Sequence, residues 1–129
     1  MEKEARQTKK IKVLLVEDEA VTALALNMSL ENLGFLTCPA AATGQRALES
    51  MREEKPDIVL MDINLTGNMN GVDTARKMQE SGRMPVIFIT GYSSGDLYEQ
   101  ARHLNPIAIF TKPIRLQALQ KAIEAAVKA

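Results

Sequence analysis

Short, unbroken apolar runs recur along the chain, and each ends on a polar residue. Val13-Leu14-Leu15-Val16 runs into Glu17-Asp18-Glu19. Ile58-Val59-Leu60-Met61, entered through the breaker Pro56-Asp57, runs into Asp62. Val86-Ile87-Phe88-Ile89 runs into Thr90-Gly91, and Ile107-Ala108-Ile109-Phe110 runs into Thr111-Lys112-Pro113. Runs of this length without alternation read as strands buried on both faces, and they predict strands over 11–16, 58–61, 85–89 and 107–110.

Between these runs the period changes to that of helices. Residues 20–33 carry Val21, Leu24, Ala25, Met28 and Leu33 as an apolar stripe, closed by Gly34 as a C-cap. Thr43 can cap a helix reaching about residue 53, with Ala47, Leu48 and Met51 inward. A turn-rich loop over 64–71 precedes a helix over 72–81 with Ala75 and Met78 inward. The helix expected over 96–104 has a thin apolar face. The last, over 116–128, places Leu116, Leu119, Ile123 and Val127 on one side. A weaker strand over 35–41 contains Pro39, which lacks the N–H that a central strand needs, so it belongs at a sheet edge.

Strand then helix, five times over, predicts an α/β fold: a parallel sheet with helices on both faces. A closed barrel needs eight such units, so the sheet is open and doubly wound. With the second strand at the edge, the expected order is 2-1-3-4-5. Ligands bind such sheets beyond the strands' carboxyl ends, where the strand order reverses. That point falls between the first and third strands, at Glu17, Asp18 and Asp62.

Composition narrows the partners. The 129 residues suit one domain, expected as a flexible arm over 1–10 and a folded unit over 11–129. The formal net charge is +0, which gives no general attraction to nucleic acid or to an anionic membrane. The cluster Lys9, Lys10 and Lys12 is too small to change that. The single cysteine, Cys38, fits a reducing compartment and is expected as a small buried residue. No signal peptide or transmembrane-length run is visible, so a cytoplasmic location is expected.

Three carboxylates at one rim call for a cation or a shared proton. Oxygen donors alone favour a hard ion, Mg²⁺ or Mn²⁺, over zinc. The lone His103 is placed on the fourth helix, away from the rim, as a surface residue. A hard ion beside Asp62, with the Thr90 hydroxyl and the Lys112 ammonium opposite, is the equipment for moving a phosphoryl group onto Asp62 as nucleophile.

These motifs resemble the receiver domain of bacterial two-component response regulators from Lys12 to the end of the chain. They are Val16-Glu17-Asp18-Glu19, Leu60-Met61-Asp62, Thr90-Gly91 and Lys112-Pro113, in the family's order. The resemblance implies a flavodoxin-like fold. It implies Asp62 as phosphoacceptor, charged by a histidine kinase or phosphotransfer protein in a phosphorelay. Asp18 would bind Mg²⁺, with Glu17 as its companion through water and the Asn64 backbone carbonyl completing the set. Thr90 would be the switch hydroxyl and Lys112 the phosphate-pairing amine, its bond to Pro113 cis. The domain would be no enzyme, although it can assist its own phosphorylation and dephosphorylation. An output partner would read the face made by the fourth helix, fifth strand and fifth helix. The absence of a recognisable output segment suits either a stand-alone regulator or a receiver taken from a longer protein.

Departures from the family pattern concern modulators. Glu17 replaces a more frequent Asp, and the 64–71 loop is longer than in most relatives. Ile109 stands where many relatives have a rotating Tyr or Phe, so coupling through that ring is not expected; Phe110 should point to the other side. Tyr92 is the replacement candidate, either as a responder or as a screen against water. Two alternatives share part of the equipment. A haloacid-dehalogenase-type phosphatase needs a second Asp two residues on, where this chain has Asn64. A receiver-like binding module would lack phosphorylation and would not need the intact Asp18, Asp62, Thr90 and Lys112.

Overall fold

The computed structural model describes residues 10–128. The expected N-terminal arm, Lys10 apart, lies outside the described residues. Five strands, β1 (Lys12–Val16), β2 (Leu36–Thr37), β3 (Ile58–Asp62), β4 (Val86–Thr90) and β5 (Ala108–Thr111), alternate with five helices. The helices are α1 (Ala20–Asn32), α2 (Gly44–Glu54), α3 (Gly71–Glu80), α4 (Asp96–Arg102) and α5 (Leu116–Lys128). The strands form one parallel sheet in the order β2-β1-β3-β4-β5. Among the described residues no helix is long and apolar enough to cross a membrane.

Burial on both faces explains why the strand sequences do not alternate. β3 and β4 are buried at every position. Leu14, Val16, Val59, Met61, Val86 and Phe88 face one layer, which holds Ala47 of α2, Ala75 and Met78 of α3 and Ala101 of α4. Val13, Leu15, Ile58, Leu60, Ile87 and Ile89 face the other, against Ala23 and Leu30 of α1 and Leu119 and Ile123 of α5. Successive strand residues thus serve opposite layers. Ile109 packs in the first layer and Phe110 in the second, on opposite sides as expected.

The edge strand is shorter than the sequence pattern suggests. Only Leu36 and Thr37 pair with β1, and Ala41 returns beyond Pro39 as a single bridge to Val16. Cys38 is buried there, and burial pushes its thiol pKa up.

The inward face of α1 differs from expectation. Val21, Leu24 and Met28 are 81%, 64% and 55% exposed, while Ala23 and Leu30 are buried and Leu26 and Leu33 pack beside them. Residues 23, 26, 30 and 33 form a second apolar stripe with helical spacing. With two such stripes the helix is apolar nearly all round, and periodicity cannot choose between them.

α3 begins hard against the end of β3. Asn70 accepts the Asp73 N–H and the Asp73 carboxylate accepts the Asn70 N–H, a reciprocal cap. Gly71 donates its N–H to the Ile63 carbonyl at 2.9 Å. A Cβ at Gly71 would collide with the Asp62 carbonyl oxygen and lie 2.9 Å from the Ile63 Cα. Backbone on both sides cannot step aside, so Gly71→Ala is expected to lower unfolding free energy by about 2–3 kcal/mol. Urea denaturation checks this; an unchanged midpoint would contradict the packing described.

Candidate functional site

Parallel strands deliver their carboxyl ends to one rim, and the residues singled out above sit there. Glu17 and Asp18 follow β1, Asp62 ends β3, Thr90 ends β4 and Lys112 follows β5. The ladder holds these tips in register: Ile63 donates to the Ile89 carbonyl at 2.9 Å and Lys112 to the Thr90 carbonyl at 2.8 Å.

Glu17, Asp18 and Asp62 each place a carboxylate oxygen within 4.8 Å of the others. Glu17 and Asp62 are buried, at 4% and 6% exposure. Among the described residues one cation reaches them. The Lys112 ammonium lies 3.2 Å from Glu17 Oε1 and 3.6 Å from Asp62 Oδ2. Burial alone would push the Lys112 pKa down, but the carboxylates of Asp62 and Glu17 outweigh it and hold it above the ordinary value. Glu17 is pushed up, first by burial and further by Asp62, although the Glu19 N–H and Lys112 oppose the shift. Three acids facing one ammonium leave negative charge in excess. An all-oxygen set this close matches a hard divalent cation, so Mg²⁺ or Mn²⁺ fits the residues present.

Each carboxylate also has donors of its own. Glu17 accepts the Glu19 N–H at 3.1 Å, and Asp62 Oδ1 accepts the Asn64 N–H at 2.9 Å. Asp18 Oδ2 accepts both the Thr66 hydroxyl at 2.9 Å and the Thr66 N–H at 3.2 Å. The contact with Thr66 is not visible in the sequence. Its partners are 48 positions apart, and only the folded 64–71 loop brings them together.

Thr90 is held away from free rotation. Its hydroxyl lies 3.0 Å from both Asn64 Oδ1 and the Tyr92 carbonyl oxygen, and it accepts the Tyr92 N–H at 3.0 Å. Having one proton, it donates to one of the two oxygens at a time. Asn64 therefore enters the site through its side chain, whereas the sequence pointed to its backbone carbonyl. Tyr92 meets Thr90 through its backbone, and its residue is 70% exposed. Ile109 is half-buried beneath α4, and the Lys112–Pro113 bond is cis. His103 is exposed at the end of α4, away from the rim.

A doubly wound parallel sheet with an acid trio, a hydroxyl and an ammonium at its carboxyl rim defines a phosphoacceptor-type signalling fold. Comparisons with known proteins agree. The family model described as the response regulator receiver domain matches residues 13–124. The chain is 34% identical over 116 residues to the transcriptional regulatory protein PdtaR of Mycobacterium tuberculosis, covering 90% of this chain and 56% of that protein. It thus spans little more than half of that relative. Sporulation initiation phosphotransferase F of Bacillus subtilis is 29% identical over 114 residues, covering 88% of this chain and 90% of the relative. Among solved structures, the signal receiver domain of a modulated diguanylate cyclase from Desulfovibrio desulfuricans G20 superposes with a TM-score of 0.87 at 32% identity, covering 93% of this chain and 95% of that one.

The chain belongs to the response regulator receiver domain family. It is a phosphoacceptor domain of two-component signal transduction, and the phosphatase alternative is not favoured.

Proposed function

We propose that Asp62 is the phosphoacceptor of this domain and that the phosphoryl group comes from a phosphohistidine on a kinase or phosphotransfer protein. The observation that carries the reading is the Lys112 ammonium poised between Glu17, at 3.2 Å, and the buried Asp62, at 3.6 Å. One Asp62 oxygen attacks phosphorus as the bond from phosphorus to the imidazole nitrogen breaks, and the bonding pair stays with the imidazole. Lys112 then pairs with a phosphoryl oxygen, and Thr90 donates to another. Glu17, Asp18, Asp62 and the Asn64 backbone carbonyl would hold Mg²⁺ (or Mn²⁺), which would offset the phosphoryl charge when bound. The domain acts as a signalling acceptor rather than a turnover enzyme. Cytoplasm is the matching compartment, where ATP-fed kinases work.

The switch follows from Thr90. Turning its hydroxyl toward phosphate breaks its bonds to Asn64 and Tyr92. The strain passes to the segment before α4, whose seven residues bury only Ala101 and whose N-cap, Gly95, has no side chain to cap it. Stability is lowest where few apolar contacts are buried, so α4 is the element to shift. The face of α4, β5 and α5 then changes for an output partner. Tyr92 and Ile109 adjoin that path, as modulators.

The donor's seat is the groove between α1 and the segment after β5. Val21, Ala25, Leu26, Pro113, Ile114 and Leu116 line it, and it opens at Glu17 and Lys112. Continuity with the acceptor site suits a phosphohistidine-bearing helix laid along the groove's exposed Val21 and Leu116.

Asp62→Asn is expected to abolish labelling by acetyl phosphate with Mg²⁺; labelling at the wild-type level would refute the assignment. Val21→Glu should slow transfer from a phosphorylated histidine phosphotransfer domain at least about 10-fold, as loss of a buried interface anchor does. Acetyl phosphate labelling should stay unchanged. Equal loss in both assays would place the defect in the site and not in docking.

A further inference from the structure

Resting on the reading of the acid trio as a Mg²⁺ site, we propose that Thr66 is a positioning residue for divalent-cation binding. Its role is to fix the Asp18 carboxylate and to tie metal occupancy to the order of the 64–70 loop.

Three observations converge on Thr66. Its hydroxyl and its backbone N–H both donate to the same oxygen, Asp18 Oδ2, at 2.9 and 3.2 Å. Among the described residues no hydrogen bond engages Oδ1, and the Asp18 carboxylate has an oxygen within 4.8 Å of those of Glu17 and Asp62. The loop is built to deliver this contact. Leu65 is buried at 5% exposure and pins the loop to the core, and Gly67, at φ +102°, turns the chain away just after Thr66.

The physical need is specific to Asp18. Glu17 and Asp62 are buried, and Lys112 holds them both. Asp18 is half-exposed and among the described residues pairs with no cation, so repulsion from its two neighbours would swing it toward solvent. Two donors on one oxygen oppose that swing while leaving the second oxygen free. A carboxylate so held loses less rotational freedom when it takes up an ion, and outer partners of this kind raise metal affinity. By linkage the reverse also holds: an ion that fixes Asp18 must steady Thr66 and the loop around it.

The test measures Mg²⁺ binding calorimetrically to the full chain and to Thr66→Val, Thr66→Ser and Asp18→Asn. Thr66→Val keeps the branched shape and the N–H but loses the hydroxyl. It is expected to weaken Mg²⁺ binding by roughly 10-fold, the lower end for an outer partner. Thr66→Ser, which keeps the hydroxyl, should stay within about twofold of wild type by the same reasoning. Amide exchange supplies the second readout: Mg²⁺ should slow exchange across residues 64–70 in wild type and much less in Thr66→Val. Unchanged or tighter binding by Thr66→Val, with wild type binding and Asp18→Asn impaired, overturns the role of Thr66 alone. If wild type fails to bind Mg²⁺, or Asp18→Asn binds as wild type does, the metal reading falls and this inference with it.

Discussion

The structure turns on an unbalanced charge. Glu17, Asp18 and Asp62 crowd one rim within 4.8 Å, and Lys112 is the ammonium that reaches two of them. A parallel sheet makes such crowding possible, because all strand ends point one way and loop polarity can gather there without disturbing the core. The buried strands provide the rigidity. Val59, Leu60 and Met61 are fully enclosed, so the Asp62 carboxylate is carried on an element with little freedom to relax. The repulsion is relieved piecemeal, by Lys112 for Glu17 and Asp62, by the Glu19 and Asn64 amides, and by Thr66 for Asp18. What remains uncompensated is the binding energy available to a cation and to a phosphoryl group.

That arrangement also explains where the molecule can move. Thr90 ends a fully buried strand, yet its hydroxyl is committed to Asn64 and Tyr92 in the exposed loops beyond it. A new anion at Asp62 competes for that hydroxyl and for Lys112. The response should appear where burial is thinnest, at the segment leading into α4, while the layer of α1 and α5 stays fixed by Leu30, Leu119 and Ile123. Signal transfer then needs only that two hydrogen-bonded arrangements of Thr90 differ little in free energy.

Much of this was legible in the residues. Apolar runs of four residues set between breakers are too short for helices and mark strands buried on both faces, and Pro39 marked the edge strand because a missing N–H cannot be compensated inside a sheet. Strand order and the polar tips then placed Asp62, Asp18, Glu17, Thr90 and Lys112 together. Two features were hidden for physical reasons. α1 has two apolar stripes at helical spacing, and only the packing against Leu15 and Ile87 selects Ala23, Leu26 and Leu30 as the inner one. Thr66 was hidden because loop conformation, set by Leu65 and Gly67, decides which side chain meets Asp18. The Asn64 side chain escaped notice for the same reason: its position beside Thr90 depends on the turn after β3.

The most direct measurement identifies the atom that becomes covalently modified. The protein is incubated with acetyl phosphate and Mg²⁺, the acyl phosphate is reduced with borohydride, and the peptides are mapped by mass spectrometry. Conversion of residue 62 to homoserine, with Glu17 and Asp18 intact, is the expected result. A reduced residue at position 17 or 18, or none at 62, would contradict the account.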